Sequence, residues 1–130
     1  MVSLPQYRQR IANFVCGDSL RIDRTVRGIP SGVTISKSYF TVKTNQTDVD
    51  ASAVLQLSVT STLTSSGQVT DTGSDGTGAV RFTLSPANTL LLTPSTSYYF
   101  DIQLVLSDSG LYTISKGTIK GLQQITIATS

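Results

Sequence analysis

Few residues in this chain are of a type that does chemistry. Gly17-Asp18-Ser19-Leu20 carries the letters of a serine-hydrolase nucleophile block. Such a Ser needs a base to take its proton, because an unassisted hydroxyl is a poor nucleophile at neutral pH. The chain has no His, so a Ser-His-Asp triad is out of reach. It also lacks the strand–helix alternation that builds the parallel sheet of those hydrolases. The four residues are read as a turn feeding a strand at Leu20, and the protein is expected not to be an enzyme.

The metal and phosphate patterns fail in the same way. Asp71 and Asp75 bracket Gly73, with Gly76 next, as a calcium loop would. That loop takes Asp or Asn at three alternate positions and closes on Glu. Here position 73 is Gly and there is no Glu anywhere. The same Gly-rich stretch lacks the Lys that follows the last Gly of a phosphate loop. The single Cys16 excludes an intrachain disulfide and a Cys-only zinc site. No metal and no cofactor are expected.

Arg21, Arg24 and Arg27 recur every three residues. On a helix they would share a face and track phosphates, but on a strand they straddle both faces. No aromatic residue interleaves with them, and net charge is only +2. No nucleic-acid partner is expected. Charge is unevenly spread, with net +5 over residues 1–43 and −3 over residues 44–130. Such polarity can bring copies together head to tail. Tyr98 and Tyr99 must point to opposite faces of a strand, which leaves Tyr99 exposed. An exposed Tyr can anchor a protein contact or stack on a sugar ring.

The elements that hold these residues follow from composition and period. A chain of 130 residues is one domain in size. Charged residues make up 14%, against a usual share of about 25%, and 37 residues are Ser or Thr. Residues 1–16 are expected as an N-terminal arm or short helix, with Ile11 and Phe14 as its buried pair. Residues 17–130 are expected as a single β-sandwich domain. Apolar residues alternate at Leu20, Ile22 and Val26, with Arg24 breaking the set as a strand end or bulge. They alternate again at Leu55, Leu57 and Val59, at Val80, Phe82 and Leu84, and from Tyr98 to Leu106.

Val33 to Lys43 is a further strand, rich in β-branched and aromatic residues. Ser65 to Ala79 is expected as a mobile loop or hairpin tip. Ser85-Pro86 reads as an N-cap and first helical residue, opening a short helical turn over Ala87 to Leu92. Three short runs, Leu111–Ser115, Thr118–Leu122 and Gln123–Ala128, are expected to close the sheet, with bulges at Gly117 and Gly121. The total is about seven strands, the pattern of a β-sandwich. No run reaches the ~18 apolar residues of a membrane span, and no secretory leader is read at the start.

The C-terminal half adds a resemblance. It runs Gly78-Ala-Val-Arg-Phe-Thr-Leu-Ser-Pro-Ala-Asn-Thr, then Leu92-Thr-Pro, then Tyr98-Tyr-Phe-Asp-Ile-Gln. Asp108-Ser-Gly and Gly117-Thr-Ile-Lys follow, and Gly17-Asp-Ser opens the first long strand. Over about Gly17 to Thr126 this resembles small tailed-phage virion domains, in particular the N-terminal domain of phage baseplate upper proteins. The resemblance implies an all-β, Ig-like antiparallel β-sandwich with one short helical connection. It implies a non-enzymatic structural protein of a tailed bacteriophage, made in the bacterial cytoplasm and carried in the virion. Baseplate proteins continue into receptor-binding domains; the expectation here is a stand-alone head decoration, cement, neck or tail-adaptor piece. Its partners would be capsid, neck or tail subunits and further copies of itself. Contacts are expected from Tyr7, Arg8 and Arg10 in the arm, Arg24 and Arg27 on the basic side, and Tyr99. The rival reading is a carbohydrate-binding or host-recognition module built around Tyr99.

Overall fold

The computed structural model describes residues 7–125. Its strands in chain order are β1 (Tyr7–Ile11), β2 (Leu20–Arg27), β3 (Ile35–Lys43), β4 (Leu55–Val59), β5 (Gly67–Asp71), β6 (Thr77–Leu84), β7 (Tyr98–Leu106) and β8 (Leu111–Ile119). They form two sheets, one ordered β1-β8-β7-β3-β4 and the other β2-β6-β5. One helical turn, α1 (Pro86–Thr89), carries the chain from the smaller sheet to the larger. The fold is an all-β sandwich. The central order, with β3, β7 and β8 facing β2, β6 and β5, is that of the immunoglobulin-type Greek key, and β4 extends the larger sheet.

The alternation that reads as strands also builds the core. Tyr98, Phe100, Ile102, Leu104 and Leu106 all point inward from β7, and Val80, Phe82 and Leu84 from β6. At the centre, Phe40 of β3 has no exposed surface. Its ring lies 5.7 Å from that of Phe82 in the opposite sheet and 5.8 Å from Phe100 in its own. Antibody domains pin their sheets at this place with a disulfide against a Trp. Here three rings do it, which suits a chain with one Cys and no Trp. Two residues before Phe100, the Tyr98 hydroxyl accepts a 2.9 Å hydrogen bond from the Thr93 amide. This is the tyrosine corner of the fold: a phenol at the start of β7 ties back the chain that enters it.

Several local expectations are corrected. Of residues 1–16, those from 7 on form neither a helix nor an arm apart from the domain. β1 is a strand in register with β8, from Tyr7 opposite Ser115 to Ile11 opposite Ile119. Ile11, Phe14 and Cys16 are buried in the common core. The β1–β8 pair is parallel, so the sandwich is not wholly antiparallel. That direction delivers the chain at Ile11 to the end of the sandwich where β2 begins.

Of the two readings of Ser65 to Ala79 the hairpin holds and the loop does not: β5 and the start of β6 pair antiparallel, with residues 72–76 as the turn. Its glycines allow close approach rather than looseness. Gly67 has φ +126°, and a Cβ there would collide with the Arg81 carbonyl oxygen. Arg24 marks no bulge, since β2 pairs with β6 without a break from Leu20 opposite Leu84 to Arg27 opposite Thr77. β8 is one strand, not two. Its register shift falls at Ile114, whereas Gly117 pairs regularly with Phe100. Beyond Ile119, among the described residues, the pairing continues through the Val15–Leu122 bridge and the amides of Lys120 and Leu122, which donate to the carbonyls of Ile11 and Phe14. Part of the expected last strand, from Thr126, lies outside the described residues. The helical turn is shorter than expected, but its cap is as read. The Asn88 amide donates to Ser85 Oγ at 3.2 Å, and the Ser85 amide donates to Asn88 Oδ1 at 2.9 Å.

The corner is open to a direct test. Tyr98→Phe keeps the ring and removes only the acceptor for the Thr93 amide. It should cost about 1 kcal/mol in urea denaturation with the β signal of circular dichroism unchanged. No loss would mean that the phenol contributes packing alone.

Candidate functional site

Because β7 turns Tyr98, Phe100 and Ile102 inward, it turns Tyr99, Asp101 and Gln103 outward. Register sets their neighbours. On β3, Lys43 lies opposite Tyr99, Thr41 opposite Asp101 and Tyr39 opposite Gln103. On β8, Thr118 lies opposite Tyr99 and Lys116 opposite Asp101. On β4, Gln56 lies opposite Thr41. Together these side chains line a groove of about 930 Å³ on the outer face of the five-stranded sheet.

The groove is polar and internally braced. Lys43 Nζ forms a 2.8 Å ion pair with Asp50 and donates to the Asp48 carbonyl at 2.7 Å. Gln56 donates to Thr41 Oγ1 at 3.0 Å. At the other end, Lys37 Nζ lies 5.3 Å from the centre of the Tyr39 ring and donates to its hydroxyl at 3.3 Å. Asp101 occupies the middle and is half-buried. Burial pushes its carboxyl pKa up, Asp50 adds to the rise, and Lys43 and Lys116 oppose it. Asp50 is held low by its hydrogen bond and charge contact with Lys43.

The residues expected to make contacts fall into two groups. Arg10 is exposed and pairs in register with Thr118, which itself lies opposite Tyr99. Arg8 pairs with Lys116 along the same strand. The backbone therefore brings Arg8, Arg10 and Tyr99 to the larger sheet; the side chains of Tyr7 and Arg8 lie outside those described. Tyr99 is 39% exposed and Tyr98 is buried, as expected. Arg24 and Arg27 lie on β2, in the other sheet. They form no common surface with Tyr99. Arg24 is half-buried and its guanidinium donates to the Asp23 carbonyl at 2.8 Å.

The motifs considered for chemistry serve as structure. The Gly17 amide donates to Thr89 Oγ1 at 2.9 Å, and the Thr89 hydroxyl donates to the Asp18 carbonyl at 2.7 Å. The Gly17–Leu20 turn is thus locked onto α1. Asp71 and Asp75 accept from the amides of Gly73 and Thr77, at 2.9 and 3.2 Å, and so shape the β5–β6 turn. Among the described residues no three His, Cys, Asp or Glu are grouped to hold a metal ion. Cys16 is buried, which pushes its thiol pKa up and makes it a poor nucleophile.

Sequence reasoning found Tyr99 but missed Asp101, Gln103, Tyr39 and Gln56. Period 2 along β7 already placed Asp101 and Gln103 on the face of Tyr99. That β3 and β8 flank them depends on pairing between distant segments. No family model matches the chain, and no curated protein matches it.

Asp101 makes a pH prediction. Its folded pKa lies above the unfolded value, so the folded state binds more protons over that window. Its contribution to stability is therefore greatest in acid and falls as pH rises from the ordinary carboxylate range through the raised value. Asp101→Asn should raise the urea midpoint at neutral pH and leave it nearly unchanged in acid. A midpoint that falls at neutral pH would show that Lys43 and Lys116 outweigh burial.

Proposed function

We propose that this protein is a non-enzymatic structural subunit of a tailed-bacteriophage particle, a head-decoration or neck or tail-adaptor piece. It acts through protein–protein contacts, with capsid, neck or tail subunits and further copies of itself as partners. The observation that carries the reading is a set of exposed apolar side chains on two segments that hydrogen bonds tie together. Leu90 and Leu91 follow α1, and Leu122 and Ile125 follow β8. All four are exposed, Ile125 at 96% and Leu90 at 63%. Contacts hold the two segments together: Asp18 receives the Thr89 hydroxyl on its carbonyl and the Gln124 amide on its carboxylate, and the Ser95 amide donates to the Gly121 carbonyl at 2.8 Å.

Exposed apolar side chains on adjoining segments can form an association surface. The low share of charged residues points the same way, since fewer long side chains must be ordered at a contact. The resemblance to phage virion domains supplies the particle, and the immunoglobulin-type strand order agrees with it.

The test is the solution mass of the purified chain by light scattering over a range of concentrations. A closed oligomer is expected. A Leu91→Ser, Ile125→Ser variant should dissociate at concentrations tenfold or more higher, because one buried Leu or Ile is worth about 1.5–3 kcal/mol. A chain that stays monomeric throughout, and that mass spectrometry does not find in purified phage particles, sinks the reading.

A further inference from the structure

We propose that the groove across β3, β7 and β8 is a binding site for a neutral oligosaccharide, which rests on Tyr39 and Tyr99 and is hydrogen-bonded between them by Asp101, Gln103 and Gln56. The proposal does not rest on those exposed apolar side chains, because it uses the outer sheet face instead. The two can therefore fail separately.

Size and shape come first. Ligand clefts run from about 300 to 1,000 Å³, and this groove has about 930 Å³. Its floor is built from the central strands β3 and β7, each hydrogen-bonded on both sides. An extended peptide would add to a sheet edge, and this floor offers none. The ligand must be read by side chains alone.

Charge narrows the class. Two ammonium groups, Lys43 and Lys116, face two carboxylates, Asp50 and Asp101, in the lining. Within the lining the balance is neutral; Lys37 beside Tyr39 and Arg10 opposite Thr118 add positive charge only at its margins, not along the floor where a phosphate backbone would need it. What remains is a mixed set of hydrogen-bonding groups. Asp101 accepts only, when ionised, whereas Gln56 and Gln103 both donate and accept. A row of sugar hydroxyls, each donor and acceptor at once, matches such a set.

The two tyrosines supply the apolar half of the contact. A sugar ring presents C–H groups on its face, and an aromatic ring packs against them while its hydroxyl stays wet. Tyr99 is exposed beside Lys43, and Tyr39 is held in place by Lys37. Tyr39 pairs with Gln103, four residues along β7 from Tyr99. At about 3.4 Å per residue the two rings are roughly 14 Å apart along the strand. A single sugar ring cannot reach both, but a short linear chain can, with its middle over Asp101. The platform needs little reorganisation, because every anchor except Gln46 and Asp50 stands on a strand.

The experiment is an NMR titration of the isotopically labelled full chain. The probes are linear neutral tetrasaccharides from β-glucan, α-glucan, chitin and mannan, with glucose as the single-ring control. At least one tetrasaccharide should give saturable shifts at Tyr39, Tyr99 to Gln103 and Lys116 to Thr118. Glucose should bind about tenfold more weakly, the scale of one lost aromatic contact. Tyr99→Ala and Asp101→Asn should each weaken binding by about tenfold or more while the rest of the spectrum stays unchanged. The proposal is overturned if none of the tetrasaccharides gives a saturable shift up to millimolar concentration. It is equally overturned if the shifts centre elsewhere or survive both substitutions.

Discussion

The packing of Phe40 on Phe82 and Phe100 is the contact on which the rest depends. The Phe40–Phe82 contact crosses between the sheets, in the region where antibody domains use a covalent bridge. Ring pairs at such separations add about 0.5–1.5 kcal/mol beyond the area they bury. Their larger effect is on register. With Phe40 opposite Ile102 and Val42 opposite Phe100, all four inward, a one-residue slip would expose the core of either strand. Fixing the inner face fixes the outer one, so the same rings set Tyr99, Asp101 and Tyr39 in their rows.

The sandwich also has edges to protect. β2 is eight residues long and lies at the edge of its sheet, a shape that invites pairing with another chain. Arg24 stands at a position of β2 that alternation assigns to the core, between Ile22 and Val26. Its half-buried guanidinium reaches the Asp23 carbonyl, so a cation stands at the edge. Asp23 is shared by Arg21 and Arg81 at 3.1 and 2.8 Å on the exposed surface, where such pairs add little stability. The same charges still discourage a neutral strand from docking. β5 is short and has a register shift at Thr70, and β4 is also five residues long. The expectation that Arg24 marks a break was therefore right about an irregular residue and wrong about its cause. It interrupts the apolar pattern, not the strand.

The residues of the candidate groove were only half legible. Alternation along β7 separates Tyr98 from Tyr99 without any structure, since successive side chains must face opposite ways. The same rule puts Asp101 and Gln103 beside Tyr99. Their partners on β3 and β8 come from pairings that no local pattern encodes. Within the Gly-rich stretch the hairpin was legible but the strand β5 was not, for a related reason. β5 is an edge strand with one buried apolar side chain, Val69, so it carries almost no alternating signal. Gly67 looks like a loop residue until the Arg81 carbonyl is found against it.

By itself, the sequence determined an all-β chain, the inward sets of β2, β4, β6 and β7, the Ser85 cap with its short helical turn, and an exposed Tyr99. Each is a local property of period, capping or side-chain type. Only the tertiary structure decided that β1 runs parallel to β8, that Arg24 and Arg27 lie on the sheet away from Tyr99, and that a carboxylate sits half-buried between two tyrosines. These depend on which distant strands pair and in which register. That choice is made by burying Phe40, Phe82 and Phe100 together, a condition on the whole chain rather than on any stretch of it.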